Sequence, residues 1–134
     1  MRWEVEGVLM TSSRPGYPDV SVSAPEIKAW VDSVKKLGIK SVICLLDTPK
    51  VAFYNIKTSL VNFYKVHGLD AIWLPTIDHK EVDWQVMSKA LTFFNISEGP
   101  VLIHCSAGLE RSVVVAEHIV KYHNWRNVFK EEVA

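Results

Sequence analysis

Apolar residues fall along the chain in two kinds of run that alternate. Residues 39–46, 69–74 and Val101–His104 are short and almost continuously apolar, the pattern of strands covered on both faces. Val8-Leu9-Met10-Thr11 predicts a further extended run, paired with Trp3 to Val5 across Glu6-Gly7. Between these runs apolar residues recur at helical spacing. Ile27, Trp30, Val31, Val34 and Leu37 follow Ser23-Ala24-Pro25-Glu26, which has the form of a capping box, and Gly38 suits the helix end. Leu60, Val61 and Tyr64 predict a helix from about residue 58 to 67, closed by Gly68. Residues 83–96 predict another, with Trp84, Met87, Leu91 and Phe94 inward, and residues 112–123 a last one. Residues 12–22, with Pro15, Gly16 and Pro18, and the polar stretch 75–82 read as loops. Strands alternating with helices predict an α/β fold, a mainly parallel central sheet of four to five strands with helices on both faces.

Length and composition narrow what such a fold can do. A chain of 134 residues, 49% of them apolar, predicts one compact domain over residues 1–134. Fifteen basic and fifteen acidic residues balance, so no global field draws it to nucleic acid or an anionic membrane, and an anion site has to be local. No apolar run approaches the roughly 18 residues of a membrane span, and the charged start Met1-Arg2-Trp3-Glu4 lacks the apolar segment of a signal peptide. With two cysteines, Cys44 and Cys105, the expectation is a cytoplasmic protein in a reducing compartment.

Such a local site is encoded in His104-Cys105-Ser106-Ala107-Gly108-Leu109-Glu110-Arg111-Ser112, between the last strand and the last helix. A phosphate dianion needs converging N–H donors, and a tight loop feeding a helix start supplies them from the backbone of residues 106 to 111. Gly108 permits a close approach that a side chain would block. Arg111 adds a planar fork matched to two phosphate oxygens. Cys105 below the phosphorus would feel the helix dipole, the loop amides and Arg111, all favouring the nucleophilic thiolate. Ser112 can hydrogen-bond the sulfur, and His104 can brace the loop from behind. Five specified positions at this spacing arise by chance about once in three million registers, which sets the loop apart from an ordinary buried cysteine.

The nine residues resemble the signature of the cysteine-dependent protein tyrosine phosphatase superfamily, His-Cys, five residues, then Arg-Ser or Arg-Thr. The size is similar to the small dual-specificity branch. The resemblance implies hydrolysis of phosphate monoesters through a phosphocysteine, with no cofactor and no metal. It assigns Cys105 as nucleophile, Arg111 as clamp on phosphate and transition state, and Ser112 as the group assisting breakdown of the intermediate. The remaining loop residues, Ser106, Ala107, Gly108, Leu109 and Glu110, would line the phosphate. A general acid is also required. Asp78, in a polar loop 27 positions before Cys105, matches the arrangement in compact members; Asp83, better explained as a helix cap, and Glu81 are the alternatives.

Glu110 departs from the pattern. A carboxylate beside the phosphate opposes thiolate formation and dianion binding unless it points outward, pairs with a cation or selects a positively charged group on the substrate. With no lysine or arginine at 106, 107, 109 or 110, highly phosphorylated inositol headgroups are a poor match. The expected partner is a phosphorylated protein or a small phosphomonoester, with protein phosphotyrosine first and phosphoserine or phosphothreonine besides. The rival is a phosphate-binding module with little turnover. Thiolate enzymes of the rhodanese or arsenate-reductase kind fit the His-Cys and Arg-Ser frame less well. Only 22 residues follow Ser112, and Trp125 and Phe129 among them suggest a weak homodimer as the alternative to a monomer. Cys44 is either strand packing or a thiol able to trap oxidised Cys105. Phe53-Tyr54, Lys50 and Lys57 could border the site mouth. Trp30 and Trp84 read as core.

Overall fold

The structure is a computed structural model of the chain and describes residues 1–77 and 80–123. Its strands are β1 (Arg2–Val5), β2 (Leu9–Ser12), β3 (Val22–Ser23), β4 (Ser41–Cys44), β5 (Tyr54–Asn55), β6 (Asp70–Trp73) and β7 (Val101–His104). The helices are α1 (Ala24–Lys36), α2 (Thr48–Val51), α3 (Leu60–Val66), α4 (Trp84–Ile96) and α5 (Arg111–Tyr122). Five strands form the central sheet in the order β1-β2-β7-β4-β6. All neighbours are parallel except β1, which pairs antiparallel with β2 at the edge, as the sequence pattern predicts. β3 and β5 make a separate two-residue parallel pair. No helix among the described residues is long and apolar enough to cross a membrane.

Side chains alternate across the central strands and so build two cores. Met10, Val42, Cys44 and Leu102 face one way, under Ile27, Val31 and Val34 of α1 and Tyr64 of α3. Leu9, Ile43, Val101 and Ile103 face the other, under Ala90, Phe93 and Phe94 of α4 and Val115, Ala116 and Ile119 of α5. The continuous apolar runs in β4 and β7 therefore reflect cover on both faces.

The helix starts follow their caps. Ser23 Oγ accepts the Glu26 N–H at 3.4 Å and Ser59 Oγ the Asn62 N–H at 3.0 Å. Asp83 Oδ1 accepts the Gln85 N–H at 2.6 Å, so Asp83 is the cap of α4, which matches one of its two readings.

Trp84 corrects the sequence reading: it is 74% exposed, and the buried stripe of α4 runs through Ala90, Phe93 and Phe94, with Val86 and Met87 packed beside it. Apolar residues cover more than one face of this helix, so two stripes about one position apart fit the same spacing. Tertiary packing chose the one that leaves the first-turn tryptophan outside. Leu37, similarly, is the C-cap of α1 and 44% exposed rather than part of its stripe. Helix α2 and strand β5 were not expected between residues 47 and 57, since four and two residues are too few to show a period.

Candidate active site

β7 runs through the middle of the sheet and delivers Cys105 to the carboxyl edge, where an open parallel sheet places its ligands. The loop 105–110 turns the chain back into α5, whose N-cap is Glu110 and whose first residue is Arg111. Gly108 makes the turn possible, with φ of +80°. A Cβ there would lie 2.5 Å from the Ser12 carbonyl carbon and 2.6 Å from the Ser13 nitrogen, so the loop lies directly on the backbone leaving β2. The Arg14 N–H donates to the Ser106 carbonyl at 2.9 Å and ties the same two segments.

Cys105 is 2% exposed. Burial, the largest single influence, raises its pKa. The Ser112 side chain and backbone, the Gly108 N–H and the Arg111 charge together outweigh it and bring the thiol below its ordinary value. The Gly108 N–H points at Sγ from 3.3 Å and the Ser112 hydroxyl lies 3.4 Å from it. These contacts favour a thiolate on the floor of a pocket of about 220 Å³, whose walls are Tyr17, Ser106, Ala107, Leu109, Glu110 and Arg111.

Arg111 is 3% exposed, and its Nη1 donates to the Thr76 carbonyl at 2.7 Å and to the Leu45 carbonyl at 3.4 Å. Thr76 is itself fastened to β4's extension, its N–H and hydroxyl both donating to the Leu45 carbonyl at 3.1 and 3.0 Å. The guanidinium is thereby oriented by the segment that runs on toward Asp78. Asp78 itself lies outside the described residues, as do Trp125 and Phe129. Glu81 is exposed and lines a second, larger groove against Glu110 and Arg111. Glu110 is exposed and lines both the pocket over Cys105 and the larger groove.

His104 points to the opposite face from Cys105 and is fully buried, its ring edge-on to Trp30 and Tyr64. Nδ1 lies 3.3 Å from the Cys105 carbonyl and Nε2 lies 2.9 Å from the Tyr64 hydroxyl. A carbonyl can only accept, so Nδ1 carries the proton and Nε2 receives the Tyr64 O–H. Burial pushes the His104 pKa down to about 4, with Arg14 and Arg111 adding to the fall against the hydrogen bond to Cys105. The unfolded chain therefore takes up a proton at this position, near pH 6.5, that the folded one refuses until about pH 4. Stability falls as pH drops through this window, by on the order of 3 kcal/mol from this group. Urea midpoints at pH 7 and pH 5 check this. The drop should shrink in His104→Gln, and an equal drop there removes His104 as its source.

Three residues of the site escaped the sequence reading. Arg14, 2% exposed, donates to the Asp19 carbonyl at 2.6 Å and sits over the Phe53, Tyr17 and Tyr54 rings at 4.9, 5.5 and 5.9 Å. It holds Tyr17 against the pocket. Thr76 orients Arg111. All three lie far from the signature in sequence, and no local pattern marks them. Phe53 and Tyr54 pack on Arg14 instead of lining the pocket over Cys105, and Lys50 and Lys57 do not line it either.

Cys44 is fully buried, and burial pushes its thiol up to about 12. In the parallel register Cys44 lies opposite His104 and shares its face, packing in the core under α1 and α3. Cys105, one residue on, packs in the core under α4 and α5. The two thiols thus leave the sheet in opposite directions, and a bridge between them would need the backbone to move. This corrects the idea of Cys44 as a trapping thiol and leaves strand packing.

No protein-family model and no curated protein sequence matches the chain. Solved structures do. Tk-PTP, in a glycine-to-alanine mutant form, is 20% identical with a TM-score of 0.65, over 88% of this chain and 69% of its own. The kinase associated phosphatase KAP, with its catalytic site cysteine replaced by serine, is 20% identical with a TM-score of 0.62 over 71% of this chain. This chain covers only 55% of KAP, about half of its length. TpbA of P. aeruginosa is 22% identical with a TM-score of 0.55, over 92% of this chain and 66% of its own. The sheet and its helices thus share the fold of these solved phosphatase structures. At this identity the likeness is one of fold.

Proposed function

We propose that the protein is a cysteine-dependent phosphatase that hydrolyses phosphate monoesters, phosphotyrosine in proteins first and phosphoserine or phosphothreonine besides. The observation that carries this is the Cys105 thiol, held below its ordinary pKa on the floor of the pocket beside Arg111. In the first step the Cys105 thiolate attacks phosphorus, an S–P bond forms, and the P–O ester bond breaks as Asp78 protonates the leaving oxygen. In the second, the Asp78 carboxylate takes a proton from water, the oxygen attacks phosphorus, and the S–P bond breaks to give phosphate and the thiolate. Arg111 and the loop amides hold the phosphoryl oxygens in both steps. The Ser112 hydroxyl, next to Sγ, stabilises the departing thiolate. Free thiols at Cys44 and Cys105 suit a cytoplasmic setting.

Trapping a phosphoenzyme whose label maps to Cys105, during turnover of p-nitrophenyl phosphate, tests the nucleophile. For the acid, Asp78→Asn is expected to lower kcat on phenyl phosphate, a poor leaving group, about 10²- to 10³-fold and to remove the basic limb of the pH profile. An unchanged rate on that substrate would shift the role to another carboxylate; Glu81, exposed in the groove that adjoins Arg111, is the first to try. The second reading, a binding module, is favoured by the Glu110 carboxylate on the pocket rim. It predicts phosphopeptide binding by a wild type that does not hydrolyse p-nitrophenyl phosphate.

A further inference from the structure

The carboxyl edge of the sheet carries another pocket, of about 260 Å³, on the face that α1 and α3 cover. Cys44 and Trp73 end the neighbouring strands β4 and β6, stand opposite each other in the parallel register and form one wall. Val51 at the end of α2, Ile56 after β5, and Leu60 and Val61 at the start of α3 form the others. The floor is buried, with Cys44, Leu60 and Tyr54 at 0%, 3% and 5% exposure, whereas Ala52, Thr58 and Trp73 are exposed and mark the mouth. Helix α2 buries none of its four residues, so it lies across this edge without filling the space beneath it.

The lining decides what such a pocket can hold. No charged side chain among the described residues lines it, and its polar groups already have partners. The Tyr54 hydroxyl donates to the Pro15 carbonyl and Trp73 Nε1 to the Leu46 carbonyl, both at 2.7 Å. Ser59 Oγ accepts the Asn62 N–H at 3.0 Å, and Thr58 Oγ1 accepts from Asn62 Nδ2 at 2.9 Å. The Cys44 sulfur has a hydrogen bond with the Leu46 backbone. A charged or strongly polar ligand would therefore lose its water with nothing in exchange. An apolar ring loses nothing and gains contact with the aliphatic walls, the faces of Tyr54 and Trp73 and the sulfur. An apolar cavity of about 150 Å³ suffices for benzene, so this pocket has room for two fused rings.

We infer that this pocket is a binding site for an uncharged bicyclic aromatic molecule of the size of indole. It is separate from the phosphate pocket, with which it shares no lining residue, and the inference does not depend on the phosphatase reading.

Indole is the probe, titrated to about 5 mM into the full chain with labelled methyl groups and followed by NMR. Saturable shifts with a Kd of about 0.1 to 1 mM are expected. Nuclear Overhauser contacts should run from the ring protons to the methyl groups of Val51, Leu60 and Val61. Purine, a ring system of the same shape with more ring nitrogens to desolvate, should bind at least about tenfold more weakly. Val61→Phe, which sets a ring into the pocket from a half-buried position, should weaken indole at least about fivefold, as should Ala52→Trp from the exposed mouth. The amide spectrum of each variant checks that it is folded, and the two positions differ in burial so that a failure of one leaves the other. Contacts confined to Tyr17 and residues 105–111 would place the ring in the phosphate pocket and overturn the inference. The absence of saturation by about 5 mM, equal affinity for purine, or wild-type affinity in both variants would overturn it as well.

Discussion

Cys105→Ser is expected to lower kcat on p-nitrophenyl phosphate by at least about 10⁴-fold while leaving the affinity for a phosphotyrosine peptide within about threefold of wild type. The two halves of this result come from different atoms. Turnover needs the sulfur: the contacts from Ser112 and Gly108 and the charge of Arg111 bring a thiol below its ordinary pKa, whereas a serine hydroxyl in the same place stays protonated. Binding needs the amides of the loop and the Arg111 fork, which are set by Gly108 against the Ser12–Ser13 backbone and by the Thr76 carbonyl. Neither depends on the atom at Sγ. Stopped assays for turnover and fluorescence anisotropy for binding separate the two. Residual turnover above about 1% of wild type would mean that the nucleophile lies elsewhere. A loss of binding in parallel with turnover would mean that the loop needs the sulfur for its shape.

The parts of this site that a reader of the sequence can see are those in which neighbours along the chain are neighbours in space. The loop from His104 to Ser112 is one such segment. Its strand shows as a continuous apolar run because α1 and α3 cover one face and α4 and α5 the other. The caps at Ser23 and Asp83 are equally local. What stays hidden depends on register and on distant segments. Cys44 was open to two readings because only the pairing of Cys44 with His104 fixes which way each thiol points. Arg14 meets Tyr54 forty positions away, and Arg111 meets Thr76 thirty-five away, through backbone carbonyls and rings that carry no signature. Trp84 was misplaced because an apolar helix with two possible stripes needs its partner to choose between them.

Gly108→Ala is expected to lower kcat/KM at least about a hundredfold and to destabilise the protein by about 2 to 4 kcal/mol, although it adds a single methyl group far smaller than the pocket. At φ of +80° the backbone is in the left-handed region, where a Cβ is already strained. The larger part of the effect comes from the neighbour. The new methyl would lie 2.5 to 2.7 Å from the carbonyl carbon and oxygen of Ser12 and the nitrogen of Ser13, which are backbone atoms continuing β2 and unable to rotate aside. β2 is held in the sheet by β1 and β7, so the loop has to give way. Its retreat would pull the Gly108 N–H from the sulfur, 3.3 Å away, and strain the Arg14 to Ser106 bond. Thiolate and phosphate cradle are therefore lost together, and the acid limb of the kcat/KM profile should move to higher pH. A variant that keeps the wild-type limb and rate would show that the loop accommodates a side chain, and that its contact with β2 does not set the pKa of Cys105.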